Sequence, residues 1–385
     1  MIQLKKEECS GCGTCYNICP TECIVMKVDT EGFLYPTIDV NRCIDCGKCE
    51  ARCPVLNKKE DDEEKPITYA AYNKDDEIRK NSSSGGLFTA IACLILERAG
   101  VVFGVSFDQN KQVIHTKVET KEELWKLRGS KYVQSDVGSS YKEAKQILEQ
   151  DRWVLYTGTA CQIAGLYQYL GKDYERLVTQ DIICHGTMSP IVLHRYLEYK
   201  EHKYKSTVDK ISFRDKTYGW KQYGMRLCFA NGSSYFGKAK DDSLLRVYSS
   251  NICLRPSCHS CSFKQVHREA DITLADFWNI QEIDSHIDTE RGVSLVLLHS
   301  QKGKQIFKDI TKEIVYKAED FDEALKYNMS MIVSAPKHPK REKFMDAILI
   351  ENDFNKVLEI LRDRWLVRAF KKAKQKVFSF KKILK

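Results

Sequence analysis

The sequence opens with one cysteine motif written twice. Each copy reads C-x2-C-x2-C-x3-C-P, and the second copy lies 34 residues after the first. Three closely spaced thiolates can wrap one iron–sulfur cube, whereas the fourth is placed to ligate a second cube. Zinc sites or a disulfide framework are the alternatives, but two matching copies ending in Cys-Pro favour clusters. The eight predicted ligands are Cys9, Cys12, Cys15, Cys19, Cys43, Cys46, Cys49 and Cys53.

This spacing is that of the bacterial two-cluster ferredoxins, and it predicts which cysteines share a cluster. The fourth cysteine of each copy ligates the cluster that the other copy holds. We therefore expect one [4Fe–4S] cluster on Cys9, Cys12, Cys15 and Cys53, and a second on Cys43, Cys46, Cys49 and Cys19. Two such clusters would indicate that the protein transfers electrons.

A third group of cysteines lies outside this module. Cys253, Cys258 and Cys261 fall within nine residues, and a third cube there would need one further ligand from elsewhere. Cys161 is our first choice, because it starts a predicted helix, where thiolate is favoured. Cys184, at the end of an apolar strand, is the alternative. A structural zinc site completed by a histidine or another cysteine is the competing interpretation.

Composition and charge narrow the class of protein. The chain has 385 residues, 43% apolar residues and 16 cysteines, with no run of 18 apolar residues and no apolar signal at its start. These features predict a cytoplasmic protein whose cysteines bind metal. Of the net charge of +8, residues 362–385 carry +9, so the rest sums to about −1. The body is therefore not expected to bind nucleic acid.

The basic segment interleaves lysines with apolar residues over 365–384 and is predicted to form a cationic amphipathic helix. A helix docked on the body with a solvated basic face is one interpretation. The other is a peripheral contact with the inner face of the membrane, or with a membrane-associated partner.

Apolar patterning predicts an α+β fold, in which a body built on a mixed α/β sheet follows the ferredoxin domain. We assign residues 1–56 to the ferredoxin domain, 57–66 to a charged linker, 67–345 to the body and 346–385 to a basic helical tail. Strands are expected at 101–107, 153–156, 177–184, 271–275 and 294–299, and helices at 87–99, 121–127, 139–149, 161–170, 189–202 and from 344 onward. Asn231-Gly232 predicts a two-residue hairpin turn between strands 225–230 and 233–236.

Several short segments of the body, in order, resemble one known family. They are residues 81–86 (NSSSGG), 128–132 (RGSKY), 157–162 (TGTACQ), 184–186 (CHG), 213–216 (FRDK), the third cysteine group and 275–278 (ADFW). Together they resemble the beta-subunit family of deazaflavin (coenzyme F420) hydrogenases and dehydrogenases. The resemblance is greatest to bacterial members with a fused N-terminal ferredoxin, which often accompany polysaccharide-synthesis enzymes.

The resemblance implies one FAD beside one [4Fe–4S] cluster in the body. A run of small residues at a helix N-terminus suits a pyrophosphate, and nearby glycine turns can offer N–H groups and a cation. The predicted cofactor-binding residues are Ser83, Ser84, Gly85, Gly86, Gly129, Ser130, Lys131, Thr157, Gly158, Thr159, Gln162, Asp276 and Trp278. Ordinary helix caps and turns are the alternative for each of these segments.

Two side chains are candidates for acid–base chemistry. His185 follows an apolar strand and precedes a glycine, and Lys131 follows a glycine turn. Arg214 and Lys216 are candidates for holding an anionic substrate, with a solvated turn as the alternative.

Two functions follow as hypotheses. In the first, a ferredoxin-like low-potential donor supplies the N-terminal clusters, and FAD reduces a small organic substrate or a deazaflavin by hydride transfer. In the second, the chain is an electron-transfer subunit of a larger redox complex and has no substrate of its own. A role in surface polysaccharide synthesis rests on the resemblance, and neither the substrate nor the direction of electron flow is defined by the sequence.

Overall fold

The computed structural model describes residues 2–58, 64–287, 289–351 and 353–360. The cysteine-rich N-terminal segment forms a small unit around its own apolar cluster, which includes Ile2, Ile24 and the cysteine side chains. Its elements are α1 (Thr14–Ile18), β1 (Ile24–Val28), β2 (Leu34–Ile38) and α2 (Lys48–Ala51), with β1 and β2 antiparallel.

The body is organised around a mixed sheet of eight strands. In spatial order they are β13 (Ile314–Ala318), β3 (Ile67–Asn73), β12 (Ser294–Leu298), β11 (Ile272–Asp276), β7 (Leu177–Ile182), β6 (Val154–Thr157), β4 (Val101–Phe107) and β5 (Val113–Val118). The four strands β11, β7, β6 and β4 are parallel, while β12, β13 and β5 run against their neighbours. Because two antiparallel pairings separate β3 from β11, these two strands also run in the same direction.

Helices cover both faces of this sheet. One face packs on α4 (Leu87–Glu97) and α9 (Gln301–Asp309), and the other on α5 (Ser140–Glu149) and α6 (Ala160–Leu170). In α4, Ile91 and Ile95 are almost wholly buried, and burial of each such side chain contributes about 1.5–3 kcal/mol. With both faces covered, a ligand can reach the strands only at their ends. In open α/β sheets the carboxyl ends of parallel strands are the usual ligand site.

A second, three-stranded antiparallel sheet packs beside the first. It consists of β8 (Val208–Asp215), β9 (Gly224–Phe229) and β10 (Ser234–Lys238). Its apolar face shares a core with α7 (Pro190–Tyr204), α8 (Ser243–Ser249), α11 (Arg341–Ile350) and α12 (Phe354–Glu359). Two short helices, α3 (Asp76–Lys80) and α10 (Phe321–Lys326), and 3-10 turns at Glu122–Lys126, Trp220–Gln222, Pro256–Ser260, Ile280–Glu282 and Met329–Met331 complete the described elements.

The predicted fold class is confirmed: a ferredoxin unit precedes a body with a large mixed sheet. Some local predictions need correction. The hairpin between β9 and β10 uses three loop residues rather than two, because the N–H of Phe229 bonds the carbonyl of Ser233 and only Gly232 takes a positive φ, 83°. The helix predicted at 121–127 is a 3-10 helix with the bounds Glu122–Lys126.

Helical structure beyond residue 344 is also interrupted. α11 ends at Ile350 and α12 begins at Phe354, with extended backbone at Glu351. The predicted amphipathic segment 365–384 lies outside the described residues. Within the described ranges, no helix combines the length and apolar character needed to span a bilayer.

Candidate metal centres and cofactor site

The first four-cysteine group, called the inner site here, contains Cys9, Cys12, Cys15 and Cys53. All four side chains are buried. Burial raises the pKa of Cys15, and the neighbouring Cys12, Cys9 and Cys53 raise it further by charge repulsion. Cys53 therefore faces the first motif although it belongs to the second. The structure places these side chains together as the two-cluster spacing predicts.

The second group, called the outer site, contains Cys19, Cys43, Cys46 and Cys49. They line a cavity of about 360 Å³, part of which is open solvent, and Cys46 is exposed. Cys23 lines the same cavity, with its Sγ 3.4 Å from Sγ of Cys19. Sequence reasoning did not place Cys23 beside a cluster, since it lies outside the repeated motif.

A second cavity lies in the body, at the carboxyl ends of β6 and β7. It has about 690 Å³ of empty space, part of it open solvent. Cys161 enters it from the first turn of α6, directly after β6, and Cys184 follows β7 by two residues. Cys258 and Cys261 reach it from the 3-10 helix Pro256–Ser260 and the residue after it. We call these four cysteines the body site.

Electrostatic contacts support the same grouping. Burial raises the pKa of Cys161, with further increases from Cys261 and Cys184. Burial also raises the pKa of Cys184 to about 12, and Cys258 and Cys261 add to that rise. Bound iron would favour the deprotonated thiolates instead, since the thiolate is the form that ligates metal.

Cys253, a predicted ligand, is not brought to this cavity. It is completely buried in the apolar core between α7 and the three-stranded sheet, and its carbonyl accepts a hydrogen bond from Ser189 N–H. Burial raises its pKa to about 12, and the nearby charge that opposes the rise is Arg341 rather than another cysteine. The structure thus brings Cys161 and Cys184 together at the cavity, where the sequence treated them as alternatives, and leaves Cys253 out.

The chemistry of these donor sets fits clusters better than single ions. Zinc is held by thiolates about 2.3 Å away in a tetrahedron. Among the residues that the structure describes, no three His, Cys, Asp or Glu side chains converge on a point that could hold one metal ion. His259, which lies between Cys258 and Cys261 in the sequence, is not among the residues that line the cavity, and its Nδ1 lies 2.9 Å from the carbonyl of Ala335. Four thiols around open space instead suit a cube of iron and sulfur.

The inner site and the body site adjoin across a packed contact. The Tyr141 hydroxyl, whose single proton can be donated to either acceptor, lies 2.9 Å from the carbonyl oxygen of Cys12 and 2.7 Å from that of Gln162, so one side chain contacts both regions. The hydroxyl of Thr14 in α1 donates to the carbonyl of Gly165 in α6. A Cβ on Gly165 would lie 2.6 Å from that hydroxyl, so glycine permits this close approach.

Arg255 completes this contact from the body side. Its guanidinium donates to the carbonyls of Cys9 and Leu34 and to Oε1 of Gln134. The side chain is 1% exposed, and it also lines the cavity of the body site. A buried arginine whose hydrogen-bond acceptors are neutral is costly unless an anion lies nearby.

The predicted flavin segments form a second region at the same edge of the sheet. The hydroxyl of Ser83 accepts hydrogen bonds from the N–H and hydroxyl of Ser130, which joins the segment before α4 to the glycine turn at Gly129. Gly85 lies against backbone, and a Cβ there would be 2.5 Å from the carbonyl of Ala71. A Cβ on Gly129 would meet nothing within 4 Å, so open space borders this turn.

Lys131 follows the glycine turn. Its Nζ donates to the carbonyls of Lys126 (3.1 Å) and Arg128 (2.9 Å), both of them neutral acceptors. Burial lowers its pKa to about 7. An amine with a pKa in this range can transfer a proton, and a phosphate bound beside it would favour its charged form.

Asp276 and Trp278, at the end of β11, are held in an internal network. Arg214 donates two hydrogen bonds to the Asp276 carboxylate, at 2.8 and 3.1 Å, and Trp220 Nε1 donates another at 2.8 Å. The rings of Trp220 and Trp278 are stacked, with centroids 5.1 Å apart. This arrangement makes Asp276 a positioning group for the tryptophans, and it commits Arg214 to Asp276 rather than to a substrate.

Lys216 is committed in the same way. Its Nζ donates to the carbonyls of Arg79 (2.6 Å), Ser84 (2.9 Å) and Arg291 (2.6 Å). All three protons of the ammonium are therefore engaged. Lys216 fixes the segment before α4 instead of presenting a charge to a substrate.

Thr157, Gly158, Thr159 and Gln162 surround the start of α6. The side-chain carbonyl of Gln162 accepts hydrogen bonds from the N–H and the hydroxyl of Thr159. These bonds cap the N-terminus of α6, the helix that carries Cys161. His115, which the sequence did not single out, contacts the carbonyl of Thr157 (3.1 Å) and the hydroxyl of Ser135 (3.1 Å). Burial lowers the pKa of His115 to about 4. These contacts favour a role in positioning the cysteine.

His185 faces the body site rather than the flavin segments. It lines that cavity, its Nε2 lies 2.6 Å from Oδ1 of Asn251, and its ring meets Tyr248 edge-on. Burial lowers its pKa. The two predicted acid–base residues, His185 and Lys131, are therefore associated with different parts of the sheet edge.

Comparisons with known proteins agree with this layout. The family model for the C-terminal part of the "coenzyme F420 hydrogenase/dehydrogenase, beta subunit" matches residues 151–324, and the model for its N-terminal part matches 68–142. A 4Fe-4S dicluster domain model matches residues 8–57. The fold and cysteine sites define an iron–sulfur electron-transfer protein of the oxidoreductase class. The chain belongs to the coenzyme F420 hydrogenase/dehydrogenase beta-subunit family and carries a fused 4Fe-4S domain.

Individual relatives are distant. An uncharacterized protein of Methanocaldococcus jannaschii, MJ1349, is 24% identical over 331 residues, which cover 78% of this chain and 86% of the relative. An uncharacterized ferredoxin of the same organism, MJ0722, is 37% identical over 71 residues, 17% of this chain and 91% of its own. A chain of the F420-reducing [NiFe] hydrogenase complex from Methanosarcina barkeri has a TM-score of 0.49 at 19% identity, covering 74% of this chain and 94% of that chain.

Proposed function

We propose that this chain is an iron–sulfur flavoprotein oxidoreductase with three [4Fe–4S] clusters and one FAD. The observation that carries the proposal is the body site, where Cys161, Cys184, Cys258 and Cys261 line one cavity beside the inner ferredoxin site. Glu8 and Ser10 of the ferredoxin unit line that same cavity. A third cluster held there would continue the path from the outer site through the inner site into the body.

FAD is the cofactor proposed for the region of Ser83, Gly85, Ser130 and Lys131. The close backbone approach at Gly85, the open space at Gly129 and the lysine bonded only to neutral carbonyls fit a group that carries phosphates. A bound flavin would supply the exchange between single electrons and a hydride. Ser83 and Ser130 would bind it, and Lys131 would offer the cation or a proton.

The proposed donor is a low-potential, ferredoxin-like protein, and the proposed acceptor is a small organic substrate or a deazaflavin. We propose the division into a ferredoxin domain (1–56), linker (57–66), body (67–345) and basic tail (346–385), with one change at the last boundary. Because α11 crosses residue 345 and both α11 and α12 share the core of the body, the body extends through α12. The proposal assigns twelve of the 16 cysteines to clusters, and metal-binding cysteines fit a reducing, cytoplasmic environment. Contact of the tail with the inner membrane face would show in liposome co-sedimentation as a loss on deleting residues 365–385.

A role in surface polysaccharide synthesis is the finer part of the proposal, and it rests on the family resemblance alone. It predicts that a deletion strain has an altered surface glycan. An unchanged glycan profile in that strain would count against this role without affecting the proposed cofactors.

An electron-transfer subunit is the second candidate, and the surface of the ferredoxin unit favours it. Val25, Val28, Val40 and Ile44 are between 45% and 65% exposed, and Ile44 lines the outer site. Exposed apolar side chains on the ferredoxin unit, one of them at the outer site, suit a contact with a protein partner. Purification only together with another redox protein would support this second function.

Quantification of iron, sulfide and flavin in one anaerobically purified sample tests the proposal. With four irons per cluster, we expect about twelve irons, together with one FAD, per chain. About eight irons with zinc and no flavin would contradict it and leave only the ferredoxin unit.

A further inference from the structure

Charged side chains are distributed differently around the two end sites of the proposed path. The cavity of the body site is lined by three cationic residues, Arg255, Lys264 and Arg268, and by one acidic residue, Glu8. The cavity of the outer site is lined by one cation, Lys48, and one acid, Asp45. The body site therefore has an excess of two positive charges and the outer site has none.

Lys264 is the cation least compensated by the protein. Its Nζ donates to the carbonyl oxygens of Cys184 and Ser330, which are neutral acceptors. One of these acceptors belongs to a proposed ligand of the body site. The ammonium is thus held at the cavity by backbone atoms rather than by a carboxylate.

Arg255 has the same character, since its acceptors are two carbonyls and a side-chain amide. Arg268 differs, because its guanidinium lies 3.2 Å from a carboxylate oxygen of buried Asp181. That pairing cancels much of its field at the cavity. The two cations with neutral acceptors, Lys264 and Arg255, are therefore the main source of positive potential.

Two physical effects compete at the body site. A cluster with four thiolates is an anion, and adding an electron increases its negative charge, which burial disfavours. Nearby cations favour the added charge, and water screens a buried cation such as Arg255 less than it screens an exposed one. The outer site has an exposed Cys46, and the cation and the acid that line its cavity, Lys48 and Asp45, have opposite charges.

We propose that Lys264 and Arg255 make the body site a better place for an added electron than the outer site. The inference rests on the proposed function, because it requires a cluster at the body site. It assigns the direction of transfer: an electron that enters at the outer site is drawn inward. In a redox titration, the titrant supplies or removes this single electron, so no further reactant is involved.

The test is a redox titration of the full chain, purified anaerobically and monitored by electron paramagnetic resonance. Cys184→Ala assigns the signal of the body site, and Cys46→Ala assigns that of the outer site. In the unsubstituted protein, we expect the midpoint potential of the body site to be higher than that of the outer site. Lys264→Gln should lower that midpoint by at least about 59 mV, a tenfold change in the one-electron equilibrium constant.

Lys302→Gln is the matched control, because Lys302 Nζ also donates to two backbone carbonyls, those of Tyr174 and Leu177, but does not line the cavity. Lys302→Gln should change the midpoint potential of neither site, and Lys264→Arg should keep the midpoint potential of the body site unchanged. If Lys264→Gln loses its cluster, the inference is tested by the unsubstituted protein alone. It then holds only if the midpoint potential of the body site is above that of the outer site.

A body-site midpoint below that of the outer site would overturn the inference, as would an unchanged midpoint in Lys264→Gln. A different failure is distinguishable by iron content. About eight irons per chain, with no signal lost in Cys184→Ala, would remove the proposed third cluster itself.

Discussion

The outer site and the body site present four cysteines in contrasting surroundings. The outer site takes its four cysteines from a segment of 31 residues and is open to solvent at Cys46. The body site takes its cysteines from segments up to 100 residues apart, and it depends on β6, β7 and a 3-10 helix to bring them together. The outer site is therefore built by local sequence, whereas the body site depends on the sheet and on its buried polar contacts.

The largest expected effect on stability comes from the Arg214–Asp276 pair at the sheet edge. Arg214→Met would remove the cationic partner of the partly buried Asp276 carboxylate and leave it the hydrogen bond from Trp220, and we expect the free energy of unfolding to fall by about 3 kcal/mol. Arg42→Met in the ferredoxin unit removes an exposed hydrogen bond to the carbonyl of Thr21 and should cost no more than about 0.5 kcal/mol. Urea unfolding of both variants measures the difference. Equal losses would contradict the dependence of the body on buried pairs.

Acid should act on the body through its histidines, since all nine lie beyond the ferredoxin unit. The pKa of His115 is about 4 in the folded protein, against about 6.5 when unfolded. The unfolded chain therefore binds more protons between these values. Stability is lost as pH falls from about 6.5 toward 4, by up to about 3 kcal/mol for this residue.

His115→Gln should flatten that part of the pH profile, because an amide does not take up the proton. Unfolding free energies measured at several pH values, with the unsubstituted chain as reference, check this expectation. An unchanged slope in the variant would show that other groups cause the acid sensitivity.

A smaller effect is expected where two loops meet near the proposed flavin region. Ser83→Ala removes two hydrogen bonds to Ser130, and each is worth about 1 kcal/mol. Thr311→Ala, which removes an exposed bond to the carbonyl of Lys308, is the control and should change stability by at most about 0.5 kcal/mol. Thermal unfolding compares the two. The same small change in both variants would argue against a fixed arrangement of these loops.

The contrast between the sites also explains how far the sequence could be interpreted. Fixed spacing was sufficient to predict how the ferredoxin cysteines are grouped, because the repeated motif itself indicates which distant cysteine joins each site. In the body, spacing grouped Cys253 with Cys258 and Cys261. It could not show that Cys253 enters the apolar core while Cys258, five residues later, turns toward the cavity. That separation depends on how Pro256–Ser260 packs against the ends of β6 and β7.

The fold was predictable to a similar degree. Buried strands such as β4, β6 and β7 have clear apolar runs, and the helices between them have matching periodicity. β5 and β13 at the edges, and β3 next to β13, were not predicted. Much of β13 is exposed, so its residues lack the alternation that marks a half-buried strand. His115 lies on β5, and its association with Thr157 follows only from the pairing of β5 with β4.

The most direct test of the account compares Cys184→Ala with Cys253→Ala in the full chain, purified and assayed for iron under identical anaerobic conditions. We predict that Cys184→Ala loses about four of about twelve irons, with the loss of the body-site signal, whereas Cys253→Ala retains all twelve. The opposite pattern, with iron lost from Cys253→Ala and retained in Cys184→Ala, would contradict the assignment of the body site.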